Sequence, residues 1–169
     1  MGIPAEGADR LEETKRFAGA LCNAIAGDGV ASEEEISYIQ GILAAKSFPD
    51  EVVAAVPDMA RNSEGRTLEQ IAAETKEMME LGTLKFAGRV ICYHAIQASA
   101  QDGLADDEVV AIKEIGKHMN VDESTIDELI ELNREEEAFR KKKVRMIMPN
   151  GHPELDKKYS EEGMVFKQK

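Results

Sequence analysis

Two short acidic segments of this chain have the residue types needed to hold a cation. The first, AGDGVASEEE, covers residues 26–35, and the second, AQDGLADDE, covers residues 100–108. In each segment an Asp precedes a Gly, and a cluster of carboxylates follows. Carboxylate oxygens are the ligands that calcium and magnesium prefer. Acids also stabilise the first turn of a helix through the helix dipole. The pattern therefore predicts either a cation site or two acidic helix starts.

Neither segment is a complete EF-hand loop. If Asp28 takes position 5 of such a loop, Glu35 falls correctly at position 12. The first two ligand positions are then occupied by Ala24 and Ala26, which offer no side-chain oxygen. In the second segment, Val109 falls at position 12. A bound metal would therefore need ligands from both segments, which we call the two corners.

The segments around the corners have helical periodicity. Aromatic residues make up only 5% of the chain and Trp is absent, so the residues typical of strands are scarce. Ser32 and Glu35 form the S-x-x-E pattern of a capping box, and Pro57 is expected to bend or end the third helix. The predicted helices cover about residues 8–26, 32–47, 49–57, 67–81, 84–100 and 106–119, and a seventh begins near residue 122. The fold class is all-α.

An internal repeat relates the two corners. Placing Asp28 over Asp102 aligns two helix–corner–helix units, at about residues 11–46 and 85–119, with a one-residue slip after the Gly. Both first helices carry small residues near the corner, which allow close helix crossings. We expect a pseudo-twofold arrangement of the two units, which would bring the acidic corners near one another.

Composition limits the functional classes. The chain has 169 residues and a formal net charge of −12, which disfavours nucleic acid and anionic lipid as partners. Cys22 and Cys92 lie in apolar helical runs and are expected to be reduced core thiols. No apolar run reaches membrane-spanning length, so a cytoplasmic protein without membrane insertion is expected. No nucleophile motif or phosphate-binding Gly loop is present, and we therefore expect no enzymatic activity.

The C-terminal region is strongly charged. We predict a helical domain over residues 8–148 and an extended or flexible tail over residues 149–169. Before the tail, REEEAF at 134–139 is followed by RKKKVR at 140–145. This block is either a solvated helix face with its own ion pairs, or a docking stripe for an acidic partner or for a second copy's acidic corners.

The corner sequences resemble the TerB tellurite-resistance family. In that family a helix ends in Ala-x-x-Asp-Gly and an acidic helix start follows, twice in one all-helical domain. IAGDGVASEEE and ASAQDGLADDE are similar to this signature, and the resemblance covers about residues 10–135. Relatives include the N-terminal domain of a membrane-anchored DnaJ-type co-chaperone.

The resemblance implies a non-enzymatic accessory protein of tellurite resistance or stress response. It also implies a divalent-cation site (calcium, magnesium or zinc) formed by the carboxylates of Asp28, Glu35, Asp102 and Glu108. A protein partner is expected, with membrane-associated partners among the candidates, while the sequence leaves the oligomeric state open. The alternative is a pure protein-interaction scaffold without a metal, in which the acids act only as helix starters.

Overall fold

The computed structural model describes residues 5–29 and 31–151. Within these residues it contains seven α-helices and no strand, which confirms the all-α class. The helices are α1 (Ala5–Ile25), α2 (Glu33–Ala45), α3 (Asp50–Arg61), α4 (Leu68–Met78), α5 (Gly88–Ser99), α6 (Asp106–His118) and α7 (Glu123–Ile147).

Two helix starts form capping boxes, and the sequence pattern indicates the first of them. At α2, the Ser32 hydroxyl accepts a hydrogen bond from the Glu35 N–H at 3.2 Å, and the Glu35 carboxylate accepts one from the Ser32 N–H at 2.7 Å. At α4, Thr67 and Gln70 exchange the same pair of hydrogen bonds. These contacts satisfy backbone donors that a helix start would otherwise leave without partners.

Pro57 was expected to bend or end the third helix, and the expected end is wrong, because α3 continues through Pro57 to Arg61. A proline inside a helix leaves the carbonyl four residues earlier without its usual N–H donor. Here that carbonyl belongs to Val53, and the side-chain amide of Gln40 donates a hydrogen bond to it at 3.0 Å. A side chain from α2 thus replaces the lost bond.

The fifth helix also starts later than expected. Leu84–Phe86 form a single 3-10 turn, and α5 begins only at Gly88. The Leu84 carbonyl accepts the N–H of Ala87 at 2.8 Å, which closes the turn before the helix starts. Leu84 is buried and Phe86 is exposed, so the turn directs one apolar side chain inward and the other outward.

Helix α1 lies at the centre of the first compact unit, which extends to Ile130. It packs against α3, α4, α5 and α6, while α2 packs against α3 and α5. The second helix of each repeat unit therefore contacts the first helix of the other unit. The pseudo-twofold symmetry stays a prediction, but this exchange of partners brings the two corners to the same part of the unit.

The second compact unit begins at Glu131 and includes the C-terminal half of α7. The predicted domain limits of 8–148 stay a prediction. Most of the predicted tail, residues 152–169, lies outside the described residues.

Both cysteines are free and fully buried, as expected of core thiols. Burial raises the pKa of the Cys22 and Cys92 thiols to about 12, because the thiolate loses its hydration. At neutral pH both side chains are therefore unreactive apolar packing groups.

Two glycines provide a matched test of the helix packing. A Cβ on Gly88 would lie 2.6 Å from the backbone oxygen of Met119, whereas a Cβ on Gly41 would have no neighbour within 4 Å. We expect Gly88→Ala to lower the free energy of unfolding by about 1–3 kcal/mol through overpacking. Gly41→Ala lies in the exposed middle of α2 and should raise it by about 0.5–1 kcal/mol. Urea denaturation measures both, and equal effects would contradict the described contact between α5 and the end of α6.

Candidate cation site at the two acidic corners

The two corners have the same backbone conformation at their glycines. Gly29 has a φ of 116° and Gly103 has a φ of 106°. Residues other than glycine rarely adopt such backbone angles. In both cases the preceding Asp side chain, Asp28 or Asp102, is exposed. The Asp-Gly pair therefore turns the chain between two helices and leaves a carboxylate at the surface of the corner.

Glu35 differs from the other acids because it is buried, with only 1% of its surface exposed. Its Oε2 accepts the Ser32 N–H, and its Oε1 accepts a 2.8 Å hydrogen bond from the hydroxyl of Ser99, at the end of α5. Burial raises the pKa of Glu35, and repulsion from Asp102 and Asp28 adds to the increase. The hydrogen bonds from Ser32 and Ser99 partly offset this rise.

Glu108 takes the corresponding position at the start of α6. Its Oε2 accepts the Ala105 N–H at 2.6 Å, as Glu35 accepts the N–H of Ser32. The one-residue slip in the sequence is thus absorbed before the helix, and both glutamates occupy the third position of their helices. Burial raises the pKa of Glu108 to about 7, with added repulsion from Glu35 and both corner aspartates.

The four carboxylates predicted as ligands therefore lie close enough to influence one another. Each glutamate is destabilised in its charged form by both Asp28 and Asp102, which come from different corners. The structure brings these acids together although the first and the last of them, Asp28 and Glu108, are 80 residues apart in the chain. We call these four side chains the acidic centre.

The acidic centre is not arranged as a finished metal site. Among the residues that the structure describes, no three His, Cys, Asp or Glu side chains form a group that could hold a metal ion. Both Glu35 oxygens already accept one internal hydrogen bond each. The donor set still fits a hard cation, because every predicted ligand is a carboxylate and each oxygen can accept more than one contact.

Ser99 is a site residue that the sequence analysis missed. It is fully buried, and it links the end of α5 to the start of α2 through Glu35. In the repeat alignment Ser99 corresponds to Ile25, so the second glutamate faces no equivalent hydroxyl. The available signal was a polar residue three positions before Asp102, on an otherwise apolar helix face.

No helix among the described residues is long and apolar enough to cross a membrane.

Fold and site together define a class of protein: an all-helical protein with one acidic centre built from two Asp-Gly corners. No family model matches the chain, and no curated protein matches it. Among solved structures, the chain is similar to the crystal structure of a tellurite resistance protein from Nostoc punctiforme, with 26% identity and a TM-score of 0.67. The match covers 85% of this chain and 84% of that one. The TerB-like resemblance indicated by the corners is confirmed.

The raised pKa values predict how stability depends on pH. A glutamate whose pKa is higher in the folded state than the ordinary 4.5 keeps its proton longer in the folded protein than in the unfolded chain. The folded state then binds more protons between about pH 4.5 and 7, so the contribution of Glu108 to stability is present at low pH. It should be lost as the pH rises through about 7.

Glu108→Gln should therefore reduce the loss of unfolding free energy between pH 5 and pH 8, measured by urea denaturation without divalent cations. Glu128→Gln, at an exposed acid of α7, is the matched control and should follow the wild-type profile. If Glu108→Gln and wild type have parallel profiles, the raised pKa of Glu108 in the folded protein is refuted.

Proposed function

We propose that this chain is a TerB-like, non-enzymatic accessory protein of tellurite resistance and the stress response, and that it binds a divalent cation at its acidic centre. The solved structure with the same fold is a tellurite resistance protein, and the similarity extends over most of both chains. This likeness supports a role related to tellurite resistance. The observation that carries the cation proposal is the convergence of carboxylates from both corners, where burial and then the charges of Asp28 and Asp102 raise the pKa of Glu35 and of Glu108.

A cation would remove the electrostatic penalty of the acidic centre. Without one, burial and neighbouring acids favour the protonated form of Glu108, with a pKa of about 7. A divalent ion supplies opposite charge at the same place and favours the ionised carboxylates. Binding should therefore displace a proton near neutral pH, which links cation affinity to pH.

Calcium and magnesium suit this site better than zinc. The four carboxylates offer only oxygen ligands, whereas zinc in proteins commonly takes histidine or cysteine. Both cysteines are buried in the core. The Nδ1 atom of His94 forms a 3.0 Å hydrogen bond with the side chain of Gln97. The proposed ligands at the corners therefore provide oxygen only.

The remaining parts of the proposal concern partners and location. We propose a cytoplasmic protein that acts through a protein partner, and membrane-associated proteins are among the candidates. The partner would distinguish the cation-bound from the cation-free state of the corners. The exposed aspartates support this arrangement, because Asp28 and Asp102 lie at the surface where a partner can contact them.

A pure interaction scaffold without a metal is the second candidate, and one observation favours it. Glu35 and Glu108 both accept backbone N–H groups at the starts of their helices, so helix capping alone gives them a structural role. In this alternative the carboxylates fix the corners, and no ion is required for function.

Calorimetric titration of calcium, magnesium and zinc into chelator-stripped protein separates the two candidates. We expect saturable binding of calcium or magnesium. Asp28→Asn combined with Asp102→Asn should weaken binding at least about tenfold, equivalent to about 1.4 kcal/mol. The heat of binding near pH 6.5 should depend on the ionisation enthalpy of the buffer, because a proton leaves the centre.

The matched control is Glu33→Gln combined with Asp106→Asn. These acids are exposed first residues of α2 and α6, so the control removes the same charge from the same helix starts. It should leave the affinity within about twofold. Absence of binding by folded wild-type protein, or equal losses in both double variants, would reject the acidic centre as a cation site and favour the scaffold.

A further inference from the structure

An apolar stripe follows the exposed C-terminal half of α7. Leu132, Phe139 and Met146 recur at intervals of seven residues, which places them along one side of a helix. Their exposed fractions are 43%, 68% and 75%, which is unusual for large apolar side chains. Residues 131–147 belong to the second compact unit, and this stripe is its main apolar feature among the described residues.

The charges beside the stripe are separated by sign. The segment 131–137 contains four glutamates, and the segment 140–145 contains five lysines or arginines. Within the helix, Arg134 pairs with Glu131 and Arg140 with Glu137, each at 3.3 Å. The first pair is exposed and the second is partly exposed, and such surface pairs contribute little to stability. The acidic and the basic residues thus occupy two successive segments of one helix.

A shallow, open groove lies on this helix. It has a volume of about 390 Å³. Four of its lining residues are spaced i, i+3, i+4 and i+7, which is the set that forms a hole in knobs-into-holes packing. The lining residues are Leu132, Glu135, Glu136, Phe139, Arg140 and Lys143.

We propose that residues 131–147 of two copies of this chain pair antiparallel, with Phe139 of each copy seated in the groove between Leu132 and Phe139 of the other. In this orientation the acidic segment of one copy lies beside the basic segment of the other. A parallel pair would place acid against acid and base against base. Charge complementarity thus selects both the second copy as the occupant and the antiparallel direction.

The paired segment is short, and the expected association is correspondingly weak. Seventeen residues of helix extend about 25 Å, which gives an interface below the size of stable dimers. Dimerisation should therefore depend on protein concentration in the range of about 5–500 µM, and it should weaken as salt screens the charged segments.

Sedimentation velocity of the full chain tests the apolar part of the proposal. Wild-type protein should shift from monomer toward dimer across this concentration range. Phe139→Ala should weaken the dimer at least about tenfold. The matched control is Phe86→Ala, at a phenylalanine of the first unit that is 78% exposed, and it should dimerise as wild type does. Circular dichroism verifies that both variants keep their helix content.

A charge exchange tests whether opposite charges of the two copies hold the pair together. One variant carries Lys in place of Glu135, Glu136 and Glu137, and a second carries Glu in place of Lys141, Lys142 and Lys143. Each variant alone should be monomeric, because two helices of one charge sign repel. An equimolar mixture should recover dimers, since the altered segment of each variant then faces an unlike charge on the other.

Four results would overturn the proposal: wild-type protein that stays monomeric throughout, a dimer unaffected by Phe139→Ala, a charge-reversed variant that still dimerises alone, or a mixture that does not recover association. A monomeric wild type would indicate that the stripe is covered by another partner or by the remainder of the chain. Cation binding at the corners does not enter any of these outcomes.

Discussion

The arrangement of the first unit depends on one buried hydrogen-bonded carboxylate. Glu35 caps the start of α2 and at the same time accepts the Ser99 hydroxyl from the end of α5. A buried carboxylate is tolerated only when its oxygens are satisfied, so these contacts hold two helix ends in one place. Because each helix end is next to an Asp-Gly corner, fixing this contact also brings the two corners together.

The Glu35 contact connects the two roles considered for the acids, helix capping and cation binding. Helix capping draws Glu35 and Glu108 toward the helix starts, and the shared position of the corners then concentrates negative charge there. The protein can relieve that repulsion by binding a proton or by binding a cation. Capping and the proposed cation binding are therefore compatible uses of one set of carboxylates.

Local signals in the sequence were sufficient for the fold class and for most helix starts, whereas tertiary contacts decided the exceptions. The capping box at Ser32 and the Asp-Gly corners involve residues close in the chain, and their structure follows from local chemistry. The effect of Pro57 on α3 could not be predicted from nearby residues, because Gln40 of another helix donates a hydrogen bond to the Val53 carbonyl. The role of Ser99 could not be predicted for the same reason, since its partner Glu35 lies 64 residues away in the chain.

The ionisation of Glu108 tests the coupling of the two corners most directly. Carbon-13 NMR of the side-chain carboxyl, recorded against pH without divalent cations, should give an apparent pKa near 7 in wild-type protein. Asp28→Asn removes a charge of the other corner, so it should lower that pKa. The result that would contradict the account is a Glu108 pKa near the ordinary 4.5 in both proteins, which would show that the corners do not share one electrostatic centre.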